Sequence, residues 1–432
     1  MKRPAYLEIK PARSILSAEE AGRLFAERSK RVADAVALRV PDRVPVAYSS
    51  TFWHAVFAGI SHRQAMYDYE ANAEATKQAI QYLQPDIASS GHNMVAIGPL
   101  LDLVGYHALD WPGHGVADDR PFQYRDKEYM TAAEYDDFLE DPSWFIFTKY
   151  LPRIASVCEP LATLPQLAGA TSTRLAAVTT RAFADDKIVA CIERLHQAGK
   201  EVMRMQEHGA ALERDLVAMG FPPERGAQCN APYDFFADFL RGSKGIMLDV
   251  FRRKEKLLAA LDKVAPILLR SALKVAARSS TNIVFMAMHW GLDGFMSLEH
   301  FRTFFWPPLR RILIGLIDNG YVPMVFWEGH CESRLETIAD IPRGKAIYYF
   351  EHTDMALAKQ VLGDMVCIRG NVPASLLNTG TPDDVTAYCR KLFATVGKGG
   401  GFILSGATGI PDEAKPTNVL AMYDAARKYG QY

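Results

Sequence analysis

The strongest constraint on the fold is a regular alternation of apolar strands and amphipathic helices in the C-terminal half of the chain. Buried-strand patterns occur at 281–291, 322–329, 345–354, 365–373 and 399–409. The segments between them are apolar at helical spacing. Strands that alternate with helices predict βαβ units and a parallel sheet. We therefore expect an α/β protein with the architecture of a (β/α)8 TIM-type barrel, of which these repeats form the larger part.

Helix boundaries in this half carry their own signals. Ser297 and Thr381 stand where an N-cap residue is expected, just before an apolar periodic segment. Gly320 and Gly363 stand where two helices should end. Residues 252–278 read as one helical pattern interrupted by a proline. These signals agree with the strand assignments.

The N-terminal half is less regular. We expect a first strand within 44–59 and helices at 62–84 and 185–219. Residues 1–43 form an N-terminal extension, which we expect to add a helical elaboration to the barrel. We interpret the whole chain, residues 1–432, as a single domain.

An aromatic, polar stretch punctuated by glycine and proline occupies residues 105–145. Irregular segments of this length inside a domain are usually functional loops. We therefore expect a loop insertion that acts as a lid. Within it Trp111 and His114 are candidate substrate-binding residues, accompanied by His107, Asp110, Tyr124 and Tyr129, although packing of an aromatic loop on the barrel would explain them as well.

Composition narrows the class of partner. Of the 432 residues, 49 are Lys or Arg and 50 are Asp or Glu, which gives a net charge of -1. A nucleic-acid-binding chain usually carries a basic excess. The sequence lacks a signal-peptide pattern and a run of about 20 apolar residues that could span a membrane. Six cysteines without CxxC spacing indicate reduced thiols. We expect a cytoplasmic protein that acts on a small molecule and binds neither nucleic acid nor membrane.

Active groups of such barrels lie where the strands run into the following loops. That rule selects His289, Glu328, His330, Asp354 and Asn371, together with the SGATG loop at 405–409. A carboxylate, an imidazole and a thiol fall within WEGHCE at 327–332, and zinc takes O, N and S ligands. The segment lacks CxxC or HExxH spacing. A loop with a capping glutamate and a buried thiol is the alternative.

The other strand-end residues leave two interpretations open. Asp354 can be a general acid or base, or the N-cap of the next helix. His289 can be a site residue or a satisfied rim histidine. Cys367 shares strand parity with Arg369 and Asn371, so all three can face the barrel interior, where Cys367 can also be a core thiol. We count Arg369, Asn371 and Trp327 among the substrate-binding candidates.

Four ordered segments carry a family resemblance. They are FMSLEHFRTFFWPPLRRIL, EGHCESRLE, LGDMVCIRGNVPASLLNTGTPDDVTAYCRKL and GGGFILSGATGIPDEAKPTNVLAMYDAARKYG, preceded by RGSKGIMLDVFRRKEKLL. Together they resemble the uroporphyrinogen decarboxylase superfamily. The resemblance implies a barrel fold and one of two chemistries. One is cofactor-free decarboxylation of acetate groups on a tetrapyrrole. The other is methyl transfer between a small methylated donor, a corrinoid on a partner protein and a thiol or folate, often with zinc.

The N-terminal arginine motif of the true decarboxylases is missing. The nearest string, SHRQAMYDYE at 61–70, keeps Arg63, Gln64 and Ala65 but lacks the second arginine. A substrate with many carboxylates needs several fixed cations, which arginine supplies best. The departure argues against uroporphyrinogen as the substrate.

The zinc methyltransferases of the superfamily carry a His-x-Cys at the end of the sixth strand and a Cys in the last loop. Their motif places Phe326 and Glu328 at the first two positions and Thr408 at the third. Glu328, with His289, His330 or Cys367, could replace those ligands, and a set of His289, Glu328 and Cys367 would still suit zinc. The chain has no DxHxxG-type corrinoid motif, so a separate partner protein would have to supply a corrinoid.

The resemblance favours a corrinoid-dependent methyltransferase that demethylates a small O- or N-methylated substrate, assisted by zinc. Its catalytic residues would be Glu328, Asp354 and His330. The alternative is a metal-free decarboxylase or lyase for a carboxylated substrate, in which Asp354 or Glu328 donates the proton and Arg369 holds the carboxylate. A non-catalytic binding protein on an enzyme barrel is a third hypothesis. A homodimer would be typical of the superfamily.

Overall fold

The computed structural model describes residues 17–168 and 171–432, and within them eight parallel strands form a ring. The ring strands are β1 (Ala47–Tyr48), β2 (Ile87–Ala88), β6 (Ala227–Gln228), β7 (Ile283–Met288), β8 (Val322–Trp327), β9 (Ile347–Phe350), β10 (Cys367–Val372) and β11 (Phe402–Gly406). Strands β6 to β11 pair in chain order, and β1 pairs with β2. Parallel bridges from Val46 to Leu404 and from Ala88 to Pro223 join the two sheets. The chain is therefore a (β/α)8 barrel, and the predicted fold class is confirmed.

Helices surround the ring. Up to β6 they are α1 (Ala18–Val36), α2 (Trp53–Ala58), α3 (His62–Tyr67), α4 (Tyr69–Leu83), α5 (His92–Val95), α6 (Gly98–Val104), α7 (Tyr135–Glu140), α8 (Pro142–Phe145), α9 (Leu151–Ile154), α10 (Thr173–Arg181) and α11 (Asp186–Ala218). After β6 they are α12 (Pro232–Phe236), α13 (Gly242–Arg252), α14 (Lys254–Ala276), α15 (Leu298–His300), α16 (Trp306–Asp318), α17 (Leu335–Ile338), α18 (Met355–Leu362), α19 (Ala374–Thr379), α20 (Pro382–Leu392) and α21 (Pro416–Tyr429).

Shorter turns extend several of these helices. Segments of 3-10 helix occur at Ala132–Glu134, Ser156–Thr163, Ala182–Ala184 and Glu332–Arg334, and π-helical turns at Ile146–Tyr150, Ala237–Arg241, Phe301–Phe305 and Phe393–Gly397. The predicted caps are confirmed, because the Ser297 hydroxyl accepts from the His300 amide and Thr381 forms a capping box with Asp384. Helix α14 continues through Pro266, where the sequence pattern is interrupted.

The strands alternate between two environments. Val325 and Trp327 of β8 point outward into the main core, which lies between the ring and the helices. Met324 and Phe326 of the same strand point inward, where Met324 joins a second cluster at the amino-terminal end of the barrel. Residues of α1, including Val32 and Val36, belong to that second cluster. The helical part of the N-terminal extension therefore closes the bottom of the barrel, while residues 1–16 lie outside the described residues.

The 105–145 insertion contains a small sheet of β3 (Leu109–Pro112), β4 (Gly115–Val116) and β5 (Gln123–Tyr124). Its residues Leu109 and Trp111 pack in an apolar cluster with Phe52 and Met66, which follow β1 along the chain. The insertion therefore rests on loops that leave the carboxyl end of the first strand. That it moves as a lid stays a prediction.

None of the described helices is long and apolar enough to cross a lipid bilayer. All six cysteines are buried and unpaired.

Candidate active site at the carboxyl ends of the strands

Four polar side chains lie at one level of the barrel, just past the ends of neighbouring strands. Met288 is paired in register with Trp327, and Trp327 with Phe350. The residues that follow them, His289, Glu328 and Glu351, are therefore level with one another, and each has the inward-facing parity of its strand. Asn371 of β10 is in register with Ser405 of β11 and continues this level.

His289 lies between two carboxylates. Its Nδ1 is 2.7 Å from Oδ2 of Asp238, and its Nε2 is 3.5 Å from Oε2 of Glu328. The short contact to Asp238 holds the ring so that Nε2 is directed to Glu328. The longer contact to Glu328 leaves both groups partly exposed at the mouth. A histidine oriented by one carboxylate and directed at another is a standard arrangement for proton transfer.

A second carboxylate fixes the backbone beneath the histidine. Asp234 accepts hydrogen bonds from the amides of His289 at 2.9 Å and Trp290 at 3.2 Å. Asp238 accepts another from Nε1 of Trp290 at 2.6 Å. The two aspartates are four residues apart on α12 and the π-helical turn after it, so they lie on one helix face. The sequence interpretation missed both, because the strand that they follow, β6, has only two residues.

The charges around His289 shift the pKa values of the site. Burial lowers the pKa of His289, but the hydrogen bond to Asp238 and the negative charges of Asp234, Asp238 and Glu328 outweigh burial and raise it to about 9. Burial, together with the charges of Glu351 and Asp238, raises the pKa of Glu328 above its usual range, although His289 opposes the shift. At neutral pH the imidazole therefore carries its second proton.

The chain turns sharply after Glu328. Gly329 has a φ of 147°, a conformation that side chains other than glycine rarely adopt. The turn sends Cys331 into the interior, where its amide and its thiol each lie 3.2 Å from the Thr353 hydroxyl. The thiol is fully buried, as the alternative interpretation of this loop held. His330 stays exposed and lies 3.2 Å from Glu332.

Asp354 is an N-cap. Its carboxylate accepts hydrogen bonds from the amides of Ala356 at 2.8 Å and Leu357 at 3.0 Å, at the start of α18. The capping interpretation is the one that the structure bears out. His330 and Asp354 are thus held by their own loops, and neither is paired with the His289 and Glu328 couple.

The expected metal ligands do not converge. Cys367 is in register with Ile347, which is in register with Met324, four residues before Glu328. At about 3.3 Å per residue, Cys367 lies roughly 13 Å down the barrel from the level of Glu328, whereas a Zn–S bond is about 2.3 Å. The predicted set of His289, Glu328 and Cys367 is wrong for this reason. Residues 17–168 and 171–432 contain no group of three or more His, Cys, Asp and Glu that could hold a metal ion.

The two predicted substrate-binding residues on β10 are bonded to other groups of the protein. Arg369 is 1% exposed and its guanidinium is 2.7 Å from the Glu224 carboxylate, inside the barrel. The Asn371 amide donates to the carbonyls of Glu351 and Thr353, and its oxygen accepts from the Tyr388 hydroxyl. The predicted inward parity is correct, but both side chains brace the barrel instead of facing a substrate.

The aromatic candidates also lie elsewhere. Trp327 is fully buried and faces the helices, because its strand parity is opposite to that of Glu328. Trp111 is buried in the insertion, where Nε1 donates to the Tyr67 hydroxyl at 3.0 Å and the ring stacks on His114. His114 is half-exposed and lies 3.1 Å from Asp102. The structure does not bring these three predicted residues to the strand ends.

Below the rim, the barrel interior is lined by aromatic rings that contact two cations. The Phe326 ring stacks on Tyr349 at 4.2 Å between centroids and lies 6.3 Å from Phe285. The Arg369 guanidinium lies 4.3 Å from the Tyr349 ring, and that of Arg225 lies 4.4 Å from the Phe285 ring. The mouth therefore has an acidic rim and an aromatic floor that contains positive charge.

Comparisons with known proteins place this site in a family. The family model described as Uroporphyrinogen decarboxylase (URO-D) matches residues 190–429, more than half of the chain. Uroporphyrinogen decarboxylase of Methylococcus capsulatus is 28% identical over 143 residues, 32% of this chain and 39% of that protein. The same enzyme of Pseudomonas aeruginosa is 27% identical over 191 residues, 44% of this chain and 52% of that protein. The chain thus spans about half or less of the length of these curated relatives.

A solved structure extends the similarity to the whole fold. The chain is similar to a methyltransferase from Methanosarcina mazei, with a TM-score of 0.57 and 15% identity over 93% of this chain and 98% of that one. At this identity the likeness concerns the fold alone. The family match covers β7 to β11 and every loop that carries the rim residues. The chain therefore belongs to the uroporphyrinogen decarboxylase (URO-D) family.

Proposed function

We propose that this protein is a methyltransferase that removes a methyl group from a small O- or N-methylated substrate at the barrel mouth. The observation that carries the proposal is the Asp238–His289–Glu328 arrangement at the carboxyl ends of the strands. It provides a protonated imidazole, fixed in orientation, beside a carboxyl group that is partly exposed.

Demethylation of an ether or amine needs a proton at the leaving heteroatom. When the bond between the methyl carbon and the heteroatom breaks, the electron pair stays on the oxygen or nitrogen. His289 carries a proton at neutral pH and directs Nε2 to the cavity side of Glu328. A substrate heteroatom that takes the place of Glu328 as the partner of Nε2 would receive that proton, with general-acid assistance on the order of 10² to 10⁴ in rate.

The aspartates have a supporting role. Asp238 fixes the imidazole through Nδ1 and favours its charged form, while Asp234 holds the backbone at His289 and Trp290. A corrinoid carried by a partner protein would accept the methyl group. The residues that position the proton donor all belong to this chain, so their arrangement requires neither the corrinoid nor a second copy of the chain. We assign no step to zinc, because the three expected ligands do not meet.

Support for methyl transfer over decarboxylation comes from the charges at the mouth. Glu328, Asp234 and Asp238 surround the proton donor. Arg369, the residue expected to hold a reacting carboxylate, is neutralised by Glu224. The neighbour of the same fold is called a methyltransferase, in agreement with this choice.

The test uses the full chain, cob(I)alamin as methyl acceptor and a panel of methoxylated and N-methylated donors. Formation of methylcobalamin is followed by absorbance. We expect turnover of at least one donor by the wild type and a loss on the order of 10²-fold or more in H289Q and in E328Q. The matched controls are H300Q and E299Q, which make the same chemical changes on the exposed side of α15 and should retain the wild-type rate.

The opposite result would favour the decarboxylase alternative. If no donor yields methylcobalamin and carboxylic acids release carbon dioxide with the same dependence on His289 and Glu328, the methyl-transfer proposal is wrong. Metal analysis of the purified chain in the same series tests whether zinc accompanies activity.

A further inference from the structure

The barrel interior contains a cation whose one ion pair is long. Arg225 precedes β6, and its guanidinium lies face-on over the Phe285 ring, 4.4 Å from the centroid. The nearest carboxylate is that of Glu224, whose oxygen is 4.0 Å from Nε of Arg225. In the part of the chain that the structure describes, no other carboxylate lies within 4.0 Å of this guanidinium.

Glu224 is already committed to the other cation. Its carboxylate lies 2.7 Å from the Arg369 guanidinium, and both of these side chains are buried. Two arginines therefore share one carboxylate, which leaves a net positive charge on the Arg225 side of the floor. Burial and the charge of Arg369 lower the pKa of Arg225, although Glu224 opposes the shift. Burial also lowers the pKa of Arg369, but the charges of Glu224 and Tyr349 outweigh burial and raise it. Burying a positive charge with so little counter-charge costs free energy unless a bound anion supplies the rest.

Inward-facing side chains near Arg225 are not fully buried. Residues of α1 seal the amino-terminal end of the barrel. Register places Arg225 level with the residue before Ile283, so a side chain that reaches the Phe285 ring extends toward the mouth. Gln228, level with Phe285, is exposed, and Ala287, two residues nearer the rim, is not buried. The Arg225 side chain is 20% exposed. An incoming anion therefore has a path to the guanidinium.

We propose that Arg225 binds the carboxylate of the substrate, so that the substrate class is a small carboxylic acid that enters the barrel with its anionic end first. A planar guanidinium pairs with a carboxylate through two parallel hydrogen bonds, and its stacking on Phe285 fixes the plane. The aromatic floor of Phe326 and Tyr349 would pack against an apolar or aromatic body behind the carboxylate.

This placement separates the anchored carboxylate from the reacting group. Phe285 lies four residues before His289 on the same strand, a rise of roughly 13 Å. The carboxylate therefore contributes to binding and does not react, and the methylated heteroatom lies at the rim beside His289. The identity of the reacting end rests on the proposed function, whereas the anion site does not.

The experiment measures binding of benzoate and of its uncharged isostere benzamide to the full chain by isothermal titration calorimetry. We expect benzoate to bind at least ten-fold more tightly than benzamide. R225M should remove this preference by weakening benzoate at least ten-fold while leaving benzamide unchanged. R225K, which keeps the positive charge but loses the planar guanidinium with its two parallel donors, should retain part of the preference. The matched control R174M removes an exposed arginine of α10 and should bind as the wild type does.

Equal affinities for benzoate and benzamide in the wild type would overturn the inference, as would unchanged benzoate binding in R225M. The wild-type comparison and R225K keep the test decisive if R225M does not fold. If methyl transfer is never observed but this Arg225-dependent preference is, the proposed function fails and the anion site stands.

Discussion

At the residue scale, the account depends on how His289 is held. Its ring contacts Asp238 on one side and approaches Glu328 on the other, and two backbone amides in its loop are fixed by Asp234. Each of these carboxylates favours the protonated imidazole. The state of one histidine therefore reports on the whole arrangement.

Removing the charge of Asp238 should lower the pKa of His289. Asp238→Asn keeps an oxygen acceptor but deletes the nearest negative charge, and a neighbouring opposite charge typically contributes 1–3 pKa units, so a fall of about one unit or more is expected. NMR titration of the His289 ring proton measures it. E332Q is the control, because Glu332 pairs with His330. A His289 pKa that is the same in both variants would contradict the assignment.

The raised pKa of His289 also predicts a pH-dependent stability. Folding raises the pKa from about 6.5 in the unfolded chain to about 9. The stabilisation from His289 is thus fully present below pH 6.5 and is lost as the pH rises through 9. Urea unfolding of wild type and H289Q from pH 6 to 10 should show the difference between their free energies of unfolding shrink across that window. A constant difference would rule out the shift.

At the scale of elements, strand parity decides which side chains reach the site. The sequence pattern predicted β7 to β11 and the inward parity of Cys367, Arg369 and Asn371. It could not give their height in the barrel, because height depends on register with neighbouring strands. Cys367 consequently lies below the rim, and Arg369 pairs with a glutamate from another strand end.

Trp327 tests strand parity directly. The side chain is fully buried between β8 and the helices, so Trp327→Ala should lower the free energy of unfolding by about 3–5 kcal/mol through the cavity that it leaves. The neighbouring Glu328 faces the other way, so the pKa of His289 should not change. Chemical unfolding and NMR titration of the same variant check both parts. A shift in the His289 pKa without loss of stability would reverse the assignment of faces.

At the scale of the whole molecule, the barrel fold could be predicted from the sequence, but the short strands that complete the ring could not. Strands β2 and β6 have two residues each, too few to leave a periodic pattern. Asp234 and Asp238 follow β6, which explains why the sequence missed the partners of His289. The insertion was identified by its composition, but its packing on residues after β1 depends on tertiary contacts. The family resemblance, in contrast, was visible in ordered motifs of the C-terminal third.

The barrel interior predicts a further effect on global stability. Glu224 leads into β6 and Arg369 lies on β10, so their ion pair joins distant parts of the ring. Glu224→Gln would leave a buried guanidinium without its counter-charge, which typically costs about 3–5 kcal/mol. Urea unfolding measures this loss, with E299Q on the surface as the matched control. A loss below about 1 kcal/mol would mean that the pair is not buried as described.

The most direct measurement of the central claim is the pH dependence of single-turnover methyl transfer from a donor to cob(I)alamin. If protonated His289 is the acid, the wild-type rate should be constant at neutral pH and fall as the pH rises through about 9. H289Q should be slower by on the order of 10²-fold, with that alkaline fall absent. A wild-type rate that H289Q reproduces at every pH would contradict the account.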